Sequence, residues 1–229
     1  MSRIAQQRDS HLSRGEIAAT ALRQFDARSS EPTIRSLAVE LKVAPTAIYH
    51  HYPSRAALFQ AVVELVWDEA TAGTLGRFPD PFTADPIDVL VAAGLSTRRA
   101  WLAHYRVARY MAATPEANRF VNETVGIMAF LFERLGLDGE DGAGAFHSYS
   151  SFMIGAVLFA ADRKAANEQL SDASGIEWNP AYESPDRAGV GKATRLAFDD
   201  VMTLSVTDPA RDEVFFEKGL RRMVEGFVA

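Results

Sequence analysis

The chain has 229 residues, of which 48% are hydrophobic, and a formal net charge of −6. That length suits one large domain or a small domain joined to a larger one. The absence of cysteine excludes disulfides and thiolate metal sites. The N-terminus lacks an apolar segment and no apolar run approaches the ~20 residues of a membrane span, which predicts a cytoplasmic protein without membrane contact.

Charge is distributed unevenly along the chain. Residues 1–58 hold eight Arg and Lys against five Asp and Glu, a net +3, whereas the remaining 16 basic and 25 acidic residues give −9. This asymmetry favours a polyanion-binding N-terminal segment attached to an acidic body.

Four helix signals follow one another in the N-terminal third. Ser13, with a glutamate three positions later, is a capping-box pattern at the start of a first helix. Thr33 is the predicted N-cap of a second, short helix. Pro45 suits the first position of a third helix, because its missing N–H costs nothing there. Tyr52 precedes a proline and ends that helix, and a fourth helix is predicted over 55–70.

Helical signals continue through the rest of the chain. A Gly- and Pro-rich break over 73–86 separates the two parts, and a second polar loop is predicted over 169–192. No segment shows sustained alternation of apolar and polar residues, so an all-α fold is predicted. The remaining predicted helices are 86–104, 105–113, 114–135 (closed by Gly136), 141–167, 192–202 and one from 209 almost to 229.

Three short helices with a tight turn between the second and third form a helix-turn-helix, whose third helix enters the major groove of DNA. Residues 44–55, APTAIYHHYPSR, fit that role. Tyr and His side chains can contact phosphate, sugar and base without a full charge. Pro45 and Thr46 suit thymine methyl groups, and Arg55 lies beside free backbone N–H groups that favour a phosphate.

The segments LSRGEIAATALRQF and TIRSLAVELKVAPTAIYHHYPSRAALFQAVV resemble the TetR-type bacterial repressors, and so does the C-terminal stretch FFEKGLRRMVEGFVA. The resemblance implies a helix-turn-helix DNA-binding domain over 1–58 and a helical ligand-binding and dimerisation domain over 59–229. Tyr49 and Arg55 would hold phosphates, while Arg35, Pro45 and Thr46 would lie nearest to bases. The full set of expected operator contacts is Thr33, Arg35, Ala44, Pro45, Thr46, Tyr49, His50, His51 and Arg55.

The chain departs from the family pattern at a few positions. Lys42 stands where a turn glycine is usual, a position that often needs a positive φ. Ser29 also replaces a glycine, and Arg55 replaces a lysine. The pair His50 and His51 could suggest a metal site, but adjacent helical side chains point ~100° apart and no ligand follows at i+4. No metal and no cofactor is therefore predicted.

Two helices of the body are apolar on more than one face, which predicts burial on two sides. The simplest second partner is the same pair of helices from another copy, giving a two-fold four-helix interface. A central helix within a monomer is the alternative. The predicted interface residues are Phe152, Gly155, Phe159, Phe215, Leu220, Met223 and Phe227.

Aromatic, Met and His residues of the body are candidates for the wall of a small-molecule site. His104 with Arg109 would suit an anionic or hydrogen-bonding ligand, and plain core packing is the alternative for the apolar members. The candidates are Trp101, His104, Tyr105, Arg109, Phe120, Met128, Phe132, His147 and Met153.

These patterns together predict a homodimeric, ligand-responsive transcriptional regulator, a repressor, with a double-stranded operator and a small-molecule effector as its partners. The stretch GVGKA at 189–193 lacks the upstream glycine, the final hydroxyl and the preceding strand of a phosphate loop. No carboxylate or histidine spacing names a reaction, so a non-enzyme is predicted. The alternatives are an all-α protein–protein adaptor or small-molecule-binding protein without DNA binding, and an all-α enzyme. A gel shift with a palindromic fragment distinguishes the regulator from them, and turnover would identify an enzyme.

Overall fold

The computed structural model describes residues 12–27, 31–113, 119–174 and 208–228. Over these residues the chain forms eight α-helices, one 3₁₀ helix and no strand, which confirms the predicted all-α class. The α-helices are α1 (Arg14–Ala27), α2 (Ile34–Leu41), α3 (Pro45–His51), α4 (Arg55–Arg77), α5 (Pro86–Ala103), α6 (Arg119–Arg134), α7 (Gly139–Ser174) and α8 (Pro209–Gly226), and the 3₁₀ helix spans Ala108–Ala113.

The helix starts follow the predicted capping residues. The Ser13 hydroxyl accepts a hydrogen bond of 3.1 Å from a backbone N–H of the first turn of α1. Thr33 and Ser36 exchange two such bonds of 3.0 Å, so α2 has a complete capping box with serine in the place of the usual glutamate. Ser54 caps α4 in the same way at 3.1 Å. Each cap satisfies N–H groups that the helix itself leaves unpaired.

The end of α6 shows the predicted role of Gly136. Its φ is +81°, and its N–H donates to the carbonyl of Glu133 at 2.9 Å, while Leu137 donates to Phe132 at 3.0 Å. This pair of bonds is a Schellman motif, which needs the left-handed conformation that glycine adopts without strain.

Two helices are longer than predicted. α4 continues through 73–77, the first part of the expected Gly- and Pro-rich break, and α7 extends to Ser174 into the expected loop. An interior glycine costs a helix only about 1 kcal/mol, which tertiary packing can offset. The predicted helix over 192–202 and the predicted helix start at residues 114 and 115 lie outside the described residues.

α5 is the central helix of the body and packs against α4, α6, α7 and α8. Its close approach to α8 depends on Gly94. A Cβ at this position would overlap the Cδ2 of Leu220 and come within 3.1 Å of both the Met153 sulfur and the Tyr149 hydroxyl. A larger residue at this position would require these side chains to shift, so glycine provides the space for the close approach.

Ion pairs fasten α8 along α5. Arg98, only 5% exposed, pairs with Asp212. Arg99 makes a bidentate bond to the Glu213 carboxylate, at 2.9 and 2.7 Å. A further pair, at 2.7 Å, joins Arg221 of α8 to the first turn of α5. These contacts fix the last helix against the middle of the body.

The core continues from the first helices into the body. One buried cluster runs from Ile17 in α1, through Val62 and Val66 in α4, to Trp101 and Val157. A second cluster lies between α5, α6, α7 and α8. The predicted domain boundary after residue 58 falls inside α4, which crosses it without interruption.

One helix in the described part of the chain is long and apolar enough to span a membrane by length and composition. It covers Gly139–Gln169 within α7, with a mean hydropathy of 1.2 in its most apolar window, 28% of which is buried. The sequence prediction considered only continuous apolar runs and did not find it. In the structure this helix packs against α5, α6 and α8, so its apolar residues also serve the core.

Candidate DNA-binding surface and ligand cavity

α3 has one buried and one exposed face. Ala47 and Ile48 are buried, as predicted for Ile48. Thr46, Tyr49 and His50 are exposed, Tyr49 by 50%, and so is Pro45 at the first position of the helix. The helix therefore offers polar, aromatic and basic side chains to solvent. Its apolar side packs against the other helices of the N-terminal part, α1 to α3 and the start of α4 through residue 58, which we call the head; the part from there onward is the body.

The C-terminal end of α3 is held by α1. The guanidinium of Arg14 lies 4.3 Å from the centre of the Tyr52 ring and donates to the backbone carbonyl of His51. The Tyr52 hydroxyl in turn donates to the carbonyl of Arg14 at 2.9 Å. Tyr52 is 1% exposed, and its burial raises the pKa of the hydroxyl. These contacts fix the direction of α3 relative to α1.

The turn before α3 places α2 beside it. Lys42 adopts φ 58° and ψ 41°, as the glycine-like position in the sequence led us to expect. Thr33 and Arg35 of α2 are exposed, and Ala44 is half-buried as the N-cap of α3. The described structure thus gathers the N-terminus of α2 and the outer face of α3 into one surface, which we call the reading surface.

Arg55 is not free in this structure. Its guanidinium pairs with the carboxylate of Glu31 and lies 4.8 Å from the centre of the Phe59 ring. Glu31 also accepts hydrogen bonds from Arg109 and Tyr110 of the body. The hydrogen bond from Tyr110, followed by the charges of Arg109 and Arg55, lowers the pKa of Glu31. The Glu31 carboxylate therefore links Arg55, the residue predicted to bind a phosphate, to the body.

A second set of polar contacts joins the head to the body through His104. Its Nδ1 lies 2.8 Å from a carboxylate oxygen of Asp26 in α1, and its Nε2 lies 3.0 Å from Glu69 in α4. Arg106 donates to the carbonyl of Asp26 at 2.7 Å and to Glu168 of α7 at 2.5 Å. His104 thus bridges three segments of the chain at the junction.

Aromatic rings fill the junction between these polar contacts. Phe25 of α1, Phe59 of α4 and Tyr110 pack edge to face, with ring centroids 5.1 to 5.9 Å apart. Such pairs add to the burial of their apolar area. The head is therefore packed on the body rather than tethered to it by a linker.

The body contains a cavity of about 360 Å³ between α4, α5, α6 and α7. No Asp, Glu, Lys, Arg or His is among its described wall residues, and its polar side-chain groups are hydroxyls and the indole N–H of Trp67. The hydroxyl-bearing residues are Thr71, Thr74, Thr97, Thr124, Tyr149 and Ser150. The other wall residues are Trp67, Ala70, Leu75, Pro81, Val89, Ala93, Val125, Ile127, Met128, Leu131, Phe146, Met153 and Ile154.

Most of the predicted ligand-binding residues lie elsewhere. Met128 and Met153 line the cavity. Phe132 is fully buried in the second core cluster, His147 is exposed on α7, and the side chain of Phe120 is outside the described residues. Phe132 therefore packs in the core and His147 faces solvent, and neither contributes to the described wall.

The remaining four predicted residues belong to or border the head–body junction. His104 and Arg109 pair with carboxylates there and are not available to an anionic ligand in this arrangement. The Tyr105 hydroxyl donates to Glu168. Burial, and after it this hydrogen bond, raises the pKa of the Tyr105 hydroxyl to about 12. Trp101 is fully buried against Trp67, and its indole N–H has no partner among the described residues.

The predicted dimer residues fall into two groups. Gly155 and Phe159 of α7 and Phe215 of α8 are exposed, Phe159 by 54% and Phe215 by 42%. Phe152, stacked on Phe216 at 5.6 Å, is half-buried, as are two further residues of α8. Those two are Met223 and Phe227.

Leu220 does not belong to that exposed face. It is fully buried and packs against Gly94 of α5 within the same chain. The prediction placed it with its neighbours because apolar spacing on a helix does not tell which of two faces meets the subunit's own core. The structure corrects this assignment.

Sequence reasoning also missed most of the cavity wall. Thr71 and Thr97 carry no motif, and residues 74 and 75 were assigned to a break that is helical. The signal that could have found them is the series of Thr residues on the otherwise apolar parts of α4 and α5. Threonine has a low helix propensity, so its repeated use inside helices is an indication of a special environment.

Comparison with known proteins agrees with this architecture. Residues 17–62 match the model of the bacterial regulatory proteins of the tetR family, and residues 78–229 match that of the tetracyclin repressor-like C-terminal domain. A tetracycline repressor protein, class A from transposon 1721, of Escherichia coli is 28% identical over 194 residues, which cover 85% of this chain and 80% of that protein.

Solved structures share the fold. Apo ActR from Streptomyces coelicolor superposes with a TM-score of 0.64 at 23% identity, covering 95% of each chain. ActR in complex with actinorhodin gives a TM-score of 0.66 at 22% identity, with 95% of this chain and 96% of that chain covered. TetR from Acinetobacter baumannii AYE gives 0.66 at 23% identity, with 94% and 96% covered.

A helix-turn-helix head followed by a helical ligand-binding domain defines a DNA-binding transcription regulator. The family models together match most of the chain. The protein belongs to the TetR family of bacterial regulatory proteins.

Proposed function

We propose that the protein is a homodimeric transcriptional repressor that binds a palindromic operator through its reading surface and leaves it when a small molecule occupies the cavity. The observation that carries this proposal is the course of α4. Its first residue, Arg55, follows the recognition helix α3 after only three residues of chain. Residues of α4 between Trp67 and Leu75 form one wall of the cavity. One rigid helix thus connects both sites.

The coupling follows from that geometry. A ligand that presses on α4 at the cavity shifts the N-terminal end of the same helix. That end follows the recognition helix α3 in the chain. It favours the unbound arrangement only by its difference in affinity for the two states. A neighbour of the same fold, ActR, has been solved in complex with actinorhodin, which supports a small-molecule ligand for this protein.

Within the operator complex each contact has an expected role. Thr46 and Pro45 meet base edges in the major groove, with Arg35 close by. Tyr49 and Arg55 hold phosphates, and the positive charge of Arg55 contributes to the salt dependence of the affinity. Thr46→Val is expected to change the base preference at one position of each half-site, as measured by competition between duplexes that differ only there.

Dimerisation through the exposed parts of α7 and α8 explains two exposed phenylalanines. Phe159 and Phe215 lie on neighbouring helices and would be covered by a second copy. A two-fold interface repeats each contact twice and sets two reading surfaces on one face of a duplex. Phe159→Glu is expected to turn a dimer into a monomer in analytical ultracentrifugation, with the helical circular dichroism spectrum unchanged.

Selection of bound duplexes from a random-sequence library tests the main proposal. Enriched sites are expected to be palindromic, with half-site centres one helical turn or a multiple of it apart. Non-palindromic enrichment, or no enrichment at low salt, contradicts it. In the latter case, ligand binding without DNA binding would support the alternative of a small-molecule-binding protein. The proposed role places the protein with the DNA in the cytoplasm and requires no enzymatic turnover.

A further inference from the structure

We propose that the cavity binds an uncharged, predominantly apolar ring compound that carries one or two hydrogen-bond acceptors, such as carbonyl oxygens. The proposal rests on the proposed function only in calling this compound the effector. Its chemistry is read from the wall of the cavity itself.

The described wall of the cavity contains no charged residue, and an uncharged ligand is the complementary one. A buried ion without a partner costs several kcal/mol, so a carboxylate or an ammonium group would need an opposite charge in reach. One predicted ligand-binding residue and a buried arginine of α5 are already paired with carboxylates. His104 is held by Asp26 and Glu69, and Arg98 by Asp212.

The hydroxyls set the polar groups of the ligand. Thr74 donates to the carbonyl of Ala70 at 3.1 Å, and Tyr149 donates to the carbonyl of Leu90 at 2.8 Å. The hydroxyls of Thr71, Thr97 and Ser150 make no hydrogen bond to another described residue. Each of these three has a donor to offer, so an acceptor on the ligand is the complementary group.

The shape of the apolar wall favours rings. Trp67 and Phe146 present aromatic surfaces, and Met128 and Met153 contribute flexible thioethers that pack well against ring edges. A volume of about 360 Å³ lies at the small end of the cavities that enclose drug-sized molecules. A compact ring system therefore fits better than an extended or branched polar molecule.

A matched pair of fluorescent probes tests the charge. N-phenyl-1-naphthylamine is uncharged, and 8-anilino-1-naphthalenesulfonate is the same ring system with a sulfonate. Energy transfer from Trp67 in the wall reports binding of either probe to the full-length protein. The uncharged probe is expected to bind at least about tenfold more tightly. Equal affinities, or tighter binding of the sulfonate, would overturn the proposal.

Two substitutions localise the signal to the cavity. Ala93→Phe fills the space from the wall of α5 and is expected to reduce the affinity for N-phenyl-1-naphthylamine by about tenfold or more. Ala72→Phe adds the same ring at an exposed position of α4 and is expected to leave it unchanged. If both variants bind like the wild type, the probe lies elsewhere and the proposal is wrong.

The hydroxyls are tested with near-isosteric changes, which preserve the fold. The probe is 6-propionyl-2-dimethylaminonaphthalene, which is uncharged and has one ketone oxygen. At least one of Thr71→Val, Thr97→Val and Ser150→Ala is expected to weaken its binding by roughly threefold or more. The affinity for N-phenyl-1-naphthylamine, which lacks the ketone, should change less. No effect of any of the three on the ketone probe refutes the assignment of the hydroxyls.

Failure of this inference is distinguishable from failure of the proposed function. DNA binding is measured separately, by the library selection, and does not use the probes. If palindromic duplexes are bound but the charge preference is absent, only the ligand class is wrong. If the charge preference is present but no duplex is bound, the ligand class stands and the repressor function is wrong.

Discussion

Lys42 holds a left-handed backbone conformation that a side chain with a Cβ disfavours. With a φ of 58°, it is the non-glycine residue with a positive φ in the described part of the chain. The conformation is imposed by the turn between α2 and α3, whose closing bonds run from Lys42 to Val39 and from Val43 to Ala38. The strain is therefore tolerated because the turn sets the angle between the two helices of the reading surface.

Lys42→Gly is expected to stabilise the protein by about 0.5–1 kcal/mol. The strain of a left-handed residue costs roughly 1–2 kcal/mol, and the greater freedom of glycine in the unfolded chain offsets part of the gain. Urea unfolding measures the difference as a shift in midpoint at constant slope. Lys42→Ala, which removes the same charge but keeps the strain, should show no such gain.

Arg55 is a residue with two possible partners. If it holds an operator phosphate, Arg55→Ala weakens binding to all duplexes alike and reduces the salt slope by about one. Fluorescence anisotropy at several salt concentrations measures both quantities. An effect restricted to one base position would contradict the phosphate role.

Glu31 competes with that phosphate for Arg55. Glu31→Gln removes the competing charge, so it is expected to tighten DNA binding severalfold at low salt. Arg109→Met is the control, because it removes one of the two contacts of Glu31 with the body but leaves the pair with Arg55. Tightening by the control, or none with Glu31→Gln, would show that the ion pair does not restrain Arg55.

At the scale of elements, the link between α5 and α8 depends on pH. The bidentate hydrogen bond from Arg99 lowers the pKa of Glu213 from its ordinary value of 4.5. A carboxyl with a lowered pKa stabilises the fold above its unfolded pKa, and this stabilisation is lost as the pH falls through the folded pKa. The contribution is therefore complete near neutral pH, begins to decrease as the pH falls to about 4.5, and is lost at still lower pH, below the lowered pKa of Glu213.

Glu213→Gln is expected to lower the free energy of unfolding at pH 7 and to make it fall less steeply toward about pH 3. Urea unfolding at a series of pH values measures the slope. Glu140→Gln changes an exposed carboxyl in the first turn of α7 and should leave the slope as in the wild type. Equal slopes for both variants would remove the Arg99–Glu213 bond from the acid sensitivity.

At the scale of the whole molecule, the head and the body share one core. Phe25 of α1 is 2% exposed and packs on Phe59 and Tyr110 across the junction. A chain with such a continuous core is expected to unfold in a single cooperative transition, although it contains two functional domains.

Phe25→Ala is therefore expected to cost about 3–5 kcal/mol and to lower the midpoint seen by the body as much as that of the head. Tryptophan fluorescence reports the body, because Trp67 and Trp101 lie there. Tyr49→Ala, at an exposed position, should change stability by less than about 0.5 kcal/mol. A body transition unaffected by Phe25→Ala would show that the two parts unfold independently.

The parts of the structure that could be predicted from sequence depend on local chemistry. The caps at Ser13, Thr33 and Gly136 were predicted correctly because each concerns a helix end and the residues next to it. The reading surface followed from the same signals, since Pro45 and the Tyr-Pro pair define the length of α3. Short-range rules were sufficient for the head.

The cavity and the junction could not be predicted in the same way. Whether His104 meets a ligand or two carboxylates depends on Asp26 and Glu69, which lie 78 and 35 positions away in sequence. Likewise the burial of Leu220 depends on the missing side chain of Gly94 on another helix. Such facts depend on which helices face each other across the body, and periodicity within one helix carries no information about that.

The close contact at position 94 has a consequence for genetics. Any side chain with a Cβ would push against three side chains that belong to α7 and α8, and the most strongly overlapped of them, Leu220, is fully buried. In a deep mutational scan with a reporter gene, this codon should tolerate replacement poorly, and large side chains least of all. Codon 144, also glycine but exposed on α7 and outside the proposed dimer interface, should accept alanine readily, which makes the pair an internal standard for such a screen.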